Sequence, residues 1–423
     1  MEYSVHGSLS GSISAPVSKS DLHRLIIAAA LCPGETTVIR RYTMNDDIRA
    51  TASIMEEAGA SVEFGENYIL VRGIETVCQN FTADCCESGS TLRFLVPVMA
   101  ALQSHCTFVG EGRLPQRPIT PLTEQMEQHG IRFSSPALPF QIEGKLNCGT
   151  YTFPGNISSQ YITGLLFALP LLEGDSKIIL TSPLESQAYV DMTLSVLQRF
   201  GIKIDCLNMQ EFCISGGQHY HSPKELNAEG DWSNAAFWIV AGALSGSIRV
   251  ENIQRNSLQG DKTVCDILEQ MGASVSCGED SVCISSKTLH GCTIDGSQIP
   301  DIIPILSVAA ACAEGTTHII NAGRLRIKES DRLSAVAQTL KKLGAEIEEG
   351  PDCLTIHGKP QLKGGCTVDS YGDHRIAMSM AIASLRCDEP VVIQNPMCVK
   401  KSYPRFYEEF ISLGGIVHGI QLG

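Results

Sequence analysis

A short pattern recurs six times along the chain and limits what it can fold into. It reads apolar residue, three residues, Gly, two residues, apolar residue, and first appears as Met55-Glu56-Glu57-Ala58-Gly59-Ala60-Ser61-Val62. Its glycines are Gly59, Gly130, Gly201, Gly272, Gly344 and Gly414, spaced by 71, 71, 71, 72 and 70 residues. A register held that closely over the chain marks a repeated structural unit. Each copy reads as the end of an amphipathic helix, a glycine stop and the start of a strand.

A second, more apolar helix recurs at the same period, over Leu22–Cys32, Thr91–Leu102, Tyr161–Leu172, Ala235–Leu244, Ile302–Ala313 and Ile376–Leu385. It is rich in Ala and other small residues, as a helix enclosed by neighbours should be. Several copies lead through a turn into a β-rich run such as Thr36–Ile39 or Ser247–Val250. The unit is therefore β-α-β-α-β-β, in an α/β (α+β) chain. It is too long for a stacked helical solenoid and lacks propeller signatures. At about 150 residues per domain, 423 residues make two or three domains. The expectation is two bodies of three units, each with sheets outside and apolar helices inside. The polar stretch His219–Asp231 is the expected boundary, and a second crossing falls near Ala15-Pro16 if the first strand joins the C-terminal body. The division expected is 1–14 with 229–423, and 15–228. Two crossings make a hinge.

Composition excludes several functions. With 46 acidic against 32 basic residues, the net charge of −14 is a poor balance for nucleic-acid binding. The longest apolar stretch, Ile162–Leu172, falls short of the roughly 20 residues a membrane helix needs. Residues Met1–Ser18 carry no basic-then-apolar signal segment. The 17 cysteines include no C-x-x-C pair and read as reduced, mostly buried thiols of a cytoplasmic protein. His219 and His221 make no credible metal set. Nucleotide cofactors are disfavoured, because both the G-x-x-x-x-G-K-[ST] loop and the G-x-G-x-x-G fingerprint are missing.

The informative residues stand at the starts of the apolar helices. They are Ser18-Lys19-Ser20, Glu87-Ser88-Gly89-Ser90-Thr91, Ser158-Ser159-Gln160, Asp231-Trp232-Ser233-Asn234, Pro300-Asp301 and Gly372-Asp373-His374-Arg375. Capping explains Ser, Thr and Asp at any one of them. It does not explain the bases nearby: Lys19, Arg24, Arg93, Arg113, Arg117, Lys328, Arg332, Arg375, Lys400 and Lys401. Helix N-termini favour anions, and arginine adds a fork suited to phosphate or carboxylate. Repeated basic helix starts in an acidic chain imply a local basic cleft for a small polyanion, expected between the two bodies.

In these motifs the chain resembles the EPSP synthase (3-phosphoshikimate 1-carboxyvinyltransferase) family of enolpyruvyl transferases, from Ser18 to near Phe410. The matching pieces are Ser18-Lys19-Ser20 with Arg24, Gly89-Ser90-Thr91-Leu92-Arg93, Arg113 with Arg117-Pro118-Ile119, Ser158-Ser159-Gln160, and Ile299-Pro300-Asp301. Lys328-Glu329-Ser330-Asp331-Arg332, Asp373-His374-Arg375 and Lys401-Ser402-Tyr403-Pro404 complete the ordered set. The resemblance implies a two-domain inside-out α/β barrel with three units per domain, a double-crossover hinge and closure on substrate. It implies transfer of the enolpyruvyl group of phosphoenolpyruvate to the 5-hydroxyl of shikimate 3-phosphate, with no metal or organic cofactor, by a cytoplasmic monomer.

Carried over by position, Lys19, Ser20, Arg24, Ser158, Ser159, Gln160, Ser186, Asp301 and Lys328 would bind shikimate 3-phosphate. Lys19, Gly89, Arg117, Gln160, Arg332, Arg375 and Lys401 would bind phosphoenolpyruvate. The attacking hydroxyl must lose a proton while the methylene carbon gains one and later returns it, so at least two acid–base groups are required. Asp301 is expected to face the 5-hydroxyl, Glu329 and Lys19 to serve the carbon, and His374 to support them. Glu329 has an alternative role in positioning Lys328 or Arg332. Two positions depart from the family: Glu87 and Ser88 stand where Asn-Ala is common, and Arg324 stands where some members have Asn. Gly89 is retained, which fits glyphosate binding in the phosphoenolpyruvate pocket.

Two rivals remain at this level. The sister transferase acting on UDP-N-acetylglucosamine shares the architecture and typically carries a Cys in the loop that here reads Gly110-Glu111-Gly112-Arg113-Leu114-Pro115-Gln116-Arg117. A non-catalytic anion-binding protein on the same repeats is the other.

Overall fold

The computed structural model describes residues 1–420. The chain forms two compact units. A continuous unit runs from Val17 to Ala228, and a discontinuous unit joins Met1–Pro16 to the chain from Glu229 onward.

The continuous unit holds helices α1 (Lys19–Ala30), α2 (Asp46–Glu57), α3 (Gly89–Ala101), α4 (Thr120–Gln128), α5 (Ser159–Ala168) and α6 (Gln187–Arg199). The discontinuous unit holds α7 (Trp232–Ser245), α8 (Val264–Gln270), α9 (Ile303–Ala311), α10 (Arg332–Lys342), α11 (His374–Ala383) and α12 (Phe406–Ser412). Odd-numbered helices are the apolar set. Every residue of α9 is buried, and in α7 only Ser245 is not. A helix apolar on all sides must be enclosed. Even-numbered helices keep a polar face, as in α2, where Ile48, Ala52 and Met55 are buried while Arg49, Ser53, Glu56 and Glu57 face water. Five of the apolar helices start two or three residues earlier than expected, because the polar first turn belongs to the helix, while α9 starts one residue later, at Ile303.

Six four-stranded sheets surround these helices, three to a unit. All share one order. In Thr82–Asp84, Thr107–Val109, Phe140–Gly144 and Ile131–Phe133, the first pair is parallel and the other two are antiparallel. A parallel pair needs a crossover, which the apolar helix supplies. An outer helix and a hairpin then complete β-α-β-α-β-β. The strands alternate: Ser247–Glu251 buries Ile248 and Val250 and exposes Ser247, Arg249 and Glu251. Each sheet thus covers the core with one face and meets water with the other. One contiguous apolar cluster fills each unit.

Three repeats borrow strands from far along the chain. Glu2–Gly7 pairs with Val391–Gln394 and Gly415–Ile420, and Gly11–Ser14 pairs in parallel with Ser247–Glu251. The first sheet of the continuous unit takes Glu225–Asn227 as its opening strand. The chain therefore leaves the discontinuous unit after Pro16 and returns at Glu229. Both crossings are held within the discontinuous unit. Asn252 Nδ2 donates to the Ala15 carbonyl at 2.9 Å, and the Asp231 N–H to the Pro16 carbonyl at 2.8 Å. Gln259 Nε2 donates to the Gly230 carbonyl at 2.7 Å.

One expectation fails. All 17 cysteines are unpaired, yet only six are buried. Cys206, Cys213, Cys277 and Cys283 lie on strands of the outer sheets without being buried, so the usual burial of cysteine yields to strand alternation. Among the described residues, no helix is long and apolar enough to cross a membrane.

The six repeat glycines each stand two residues past the end of an outer helix, with φ between +83° and +114°. The next N–H reaches back into the helix, as from Ala60 to the Met55 carbonyl at 2.9 Å or from Ile202 to Leu197 at 2.9 Å. This is the capping geometry that favours Gly. Gly201→Ala should cost about 1–2 kcal/mol from the left-handed backbone alone, since the added carbon has room. Gly59→Ala should cost more, because its Cβ would fall 2.4 Å from the Thr76 carbonyl oxygen. Urea denaturation of both variants checks this, and equal losses would contradict it.

Candidate active site

Five of the six apolar helices begin with a side-chain cap. The capping oxygens belong to Ser18, Ser88, Ser158, Asp231 and Asp373. Asp301 stands ahead of the uncapped α9, which has Pro304 in its first turn. With the caps accounted for, Lys19, Ser20, Gly89, Ser90, Ser159, Gln160, Ser233, His374 and Arg375 are among the polar or glycine positions left at the helix starts.

In the continuous unit, buried hydroxyls tie these starts together. His23 Nδ1 on α1 meets Thr51 Oγ1 on α2 at 2.7 Å, and Thr51 Oγ1 meets Thr91 Oγ1 on α3 at 2.7 Å. Burial first, then Lys19 and Arg24, hold the His23 imidazole well below its usual pKa. Thr163 Oγ1 on α5 meets Thr193 Oγ1 on α6 at 2.9 Å, and Thr193 Oγ1 also accepts from Arg24 Nε at 2.9 Å. Arg24 is 2% exposed. It donates further to the Ser20 carbonyl at 2.6 Å and the Tyr189 carbonyl at 2.9 Å, and its guanidinium lies over the Phe94 ring. Burial lowers its pKa to about 10. Arg24 therefore fixes the backbone around Ser20 and Tyr189. Lys19 Nζ bonds Asp47 Oδ2 at 2.6 Å.

A second group gathers where α3 meets α5. Arg93 Nη1 donates to Gln160 Oε1 at 2.9 Å, and Gln160 Nε2 donates to Ser90 Oγ at 2.9 Å. Arg93 Nη2 holds the Pro118 carbonyl at 2.9 Å, next to Arg117. A Cβ on Gly89 would fall 2.6 Å from Arg93 Nη1 and 2.7 Å from Arg117 Nη1. Gly89 thus lets two guanidinium groups lie against a helix start. Ser186, buried with φ +54°, stands at the head of α6. Arg113 is exposed at the surface of its loop, and the Glu87 carboxylate lies against Gly112.

The discontinuous unit gathers Asp301, Lys328, Glu329, Arg332, His374 and Arg375. Arg332, 1% exposed, is their centre. Its Nη1 bonds Asp301 Oδ1 at 2.7 Å, its Nη2 lies 2.6 Å from Glu329 Oε2, and its Nε bonds Asp373 Oδ2 at 2.8 Å. Burial opposes this charge, but Asp373, Glu329 and Asp301 outweigh it and raise the guanidinium pKa. Burial likewise opposes ionisation of Asp373, and Arg332 more than reverses that, lowering its pKa. Lys328 Nζ and Arg375 Nε each lie 3.8 Å from Asp301 Oδ1. Burial, helped by Arg324 and Arg332 against Asp301 and Glu329, lowers Lys328 to about 8. His374 Nδ1 is 3.9 Å from Asp373 Oδ1, and Lys401 Nζ donates to the Gly372 carbonyl at 3.0 Å.

Some of this could not be named from motifs. Asp47 lies on an outer helix, where nothing marks it, and the motifs put Asp373 and Arg93 at helix starts without showing that they pair with Arg332 and Gln160. Asp261 and Ser233, joined by a very short hydrogen bond, form another buried pair in the discontinuous unit.

The arrangement can hold anions on fixed cations around a carboxylate, which suits acid–base chemistry on a phosphorylated substrate. Arg332→Ala would leave Asp373, which is fully buried, without its main partner. It should destabilise the protein by about 3–5 kcal/mol, as read from urea unfolding; a loss below about 1 kcal/mol would contradict this account of the cluster.

The model of the EPSP synthase (3-phosphoshikimate 1-carboxyvinyltransferase) family matches residues 4–410. A 3-phosphoshikimate 1-carboxyvinyltransferase of Clostridium novyi is 46% identical over 98% of both chains, and one of Clostridium perfringens is 48% identical over 97% of both. EPSP synthase from Acinetobacter baumannii superposes with a TM-score of 0.82 at 26% identity, over 99% of this chain and 100% of that one. The enolpyruvyl transferase NikO from Streptomyces tendae gives the same TM-score at 18% identity, over 99% and 98%, and so shares the fold. With its inside-out arrangement of six β-α-β-α-β-β repeats, the chain belongs to the EPSP synthase (3-phosphoshikimate 1-carboxyvinyltransferase) family.

Proposed function

We propose that the two clusters of helix-start residues act together on one pair of substrates. The chain transfers the enolpyruvyl group of phosphoenolpyruvate to the 5-hydroxyl of shikimate 3-phosphate and releases phosphate, a step of the shikimate pathway. Ser158, Ser159 and Ser186, with Lys19, receive the phosphate of shikimate 3-phosphate, and Ser20 adds a further contact. Gln160, already bonded to Arg93, lies between the substrates. Gly89, Arg117, Arg375 and Lys401 receive phosphoenolpyruvate. Arg24 and Arg332, whose contacts are already made with protein groups, act mainly by holding Ser20 and Asp301 in place.

Asp301 takes the proton from the 5-hydroxyl as oxygen attacks C2 of phosphoenolpyruvate, and C3 is protonated. In the second half, C3 returns its proton and the C–O bond to phosphate breaks. Lys19 and Glu329 are the groups assigned to C3. Glu329 also positions Arg332, which its 2.6 Å contact supports. His374, buried beside Asp373, supports the same network. Lys328, at about 8, remains largely charged at neutral pH and pairs with the substrate hydroxyls and Asp301. Each phosphate carries about −1.5 to −2, so gathering two such anions needs fixed cations that cost no reorganisation during reaction. Glyphosate, taken up in place of phosphoenolpyruvate, would meet the guanidinium pair at Gly89. We assign the protein to the cytoplasm as a monomer with no nucleic-acid partner, in keeping with its acidic balance.

The observation that carries this reading is Asp301, a carboxylate with three cations within 3.8 Å at the start of a buried helix. Asp301→Asn should lower turnover at least about 100-fold with the fold intact. Phosphate release from phosphoenolpyruvate should require shikimate 3-phosphate and should not occur with UDP-N-acetylglucosamine. Near-normal turnover in the folded variant would remove Asp301 from the chemistry, and binding of both anions by the wild type without phosphate release would favour a non-catalytic anion binder. Release with the nucleotide sugar alone would point to the sister reaction.

A further inference from the structure

Asp261 opens the short turn Gly260–Thr263 and is 3% exposed. Its Oδ2 accepts a very short hydrogen bond from Ser233 Oγ in the first turn of α7. Ser233 is not needed for capping, because Asp231 Oδ1 already accepts from the Asn234 N–H at 2.8 Å. Its own carbonyl accepts from Arg375 Nη1 at 3.3 Å. Arg375 is buried, its Nε lies 3.8 Å from Asp301 Oδ1, and that Nε has no hydrogen-bond partner among the described residues. A continuous path therefore runs from Asp261 through Ser233 to a guanidinium with a donor to spare.

We propose that Asp261 is a positioning residue for Arg375, acting through the hydroxyl and carbonyl of Ser233 to fix the guanidinium that meets phosphoenolpyruvate. The inference rests on the assignment of Arg375 to that substrate. A path of this kind costs little entropy at the moment of binding, because every member is already buried and bonded.

The charges around Asp261 give the path a pH dependence. Asp231 faces it from the cap of α7, Asp301 from the loop before α9 and Arg375 from α11. Lys262 on its own turn, with Asp266 and Glu269 on α8, lines an open surface cavity. Burial first and then Asp301 push Asp261 up to about 7, against Arg375 and the Ser233 hydroxyl. Below pH 7 the group is neutral. Above it, Asp261 adds a negative charge beside Arg375 and competes with the incoming anion.

The test compares the full-length wild type with Asp261→Asn, Ser233→Ala and Ser233→Thr. Both KM values and kcat are measured from pH 6 to 9. Phosphoenolpyruvate ionises in this range in every variant, so only differences between variants count. Ser233→Ala should raise KM for phosphoenolpyruvate about tenfold, the loss of one hydrogen bond to a charged group. KM for shikimate 3-phosphate should stay unchanged, and Ser233→Thr should restore the wild-type value. Asp261→Asn, which mimics the protonated acid, should match the wild type at pH 6.5. At pH 8.5 it should bind phosphoenolpyruvate roughly tenfold better, as one unit charge removed from a partly buried site allows.

Thermal melting supplies a readout without substrate. The folded wild type keeps a proton that the unfolded chain releases near pH 4, so its stability should fall between pH 4 and 7 relative to Asp261→Asn. Parallel pH profiles for the two proteins, in KM and in melting, would overturn the proposal. So would equal effects of Ser233→Ala on both substrates. Failure of the functional reading looks different, because the wild type would then release no phosphate whatever the state of Asp261.

Discussion

The structure of the discontinuous unit turns on one buried cation. Arg332 begins α10, while its partners come from the loop before α9, from the segment just before α10 and from the cap of α11. It therefore locks two adjacent repeats together at their helix starts. A guanidinium excluded from water is tolerable only with several carboxylates beside it, and those carboxylates are tolerable only with the guanidinium. That mutual dependence fixes Asp301, a partly buried carboxylate, against the guanidinium. The continuous unit solves the corresponding problem with Arg24, whose bonds to Ser20, Tyr189 and Thr193 join α1 to α6. In both units a saturated arginine holds the frame, and less saturated polar groups stand beside it.

The repeat explains why such sites arise where they do. Each unit encloses three apolar helices, and the polar starts of those helices need partners for their free N–H groups. Ser18, Ser88, Ser158, Asp231 and Asp373 meet part of that need. The remaining N–H groups and the nearby Lys and Arg side chains leave a field that favours anions. Gly89 shows the other requirement: only a residue without a side chain lets Arg93 and Arg117 approach that start.

The sixfold architecture was legible because the backbone demanded a residue type at a fixed place. Gly59, Gly130, Gly201, Gly272, Gly344 and Gly414 all occupy left-handed backbone after an outer helix, so their spacing reports the repeat directly. Strand pairing left no such mark. Glu2–Gly7 joins Val391–Gln394, nearly the length of the chain away, and nothing in its own residues says so. Among site residues, Lys19, Arg117, Asp301 and Arg375 stood out as charges at helix starts or in a Pro-rich loop. Asp47 and Asp261 did not, because an acid on an outer helix and an acid in a turn look ordinary until the fold brings them to their partners, and Ser233 at its helix start reads as one more capping residue. The cysteines misled for a related reason, since strand alternation put several of them outside the core.

The account stands or falls on where two small anions bind. A crystal structure with shikimate 3-phosphate and an unreactive phosphonate analogue of phosphoenolpyruvate measures that directly. It should show the sugar phosphate within hydrogen-bonding distance of the Ser158, Ser159 or Ser186 hydroxyls, the analogue on Arg117 and Arg375, and the 5-hydroxyl next to Asp301. Ligands bound elsewhere, for example in the open cavity beside Arg255 and Lys262, with the helix starts empty, would contradict it.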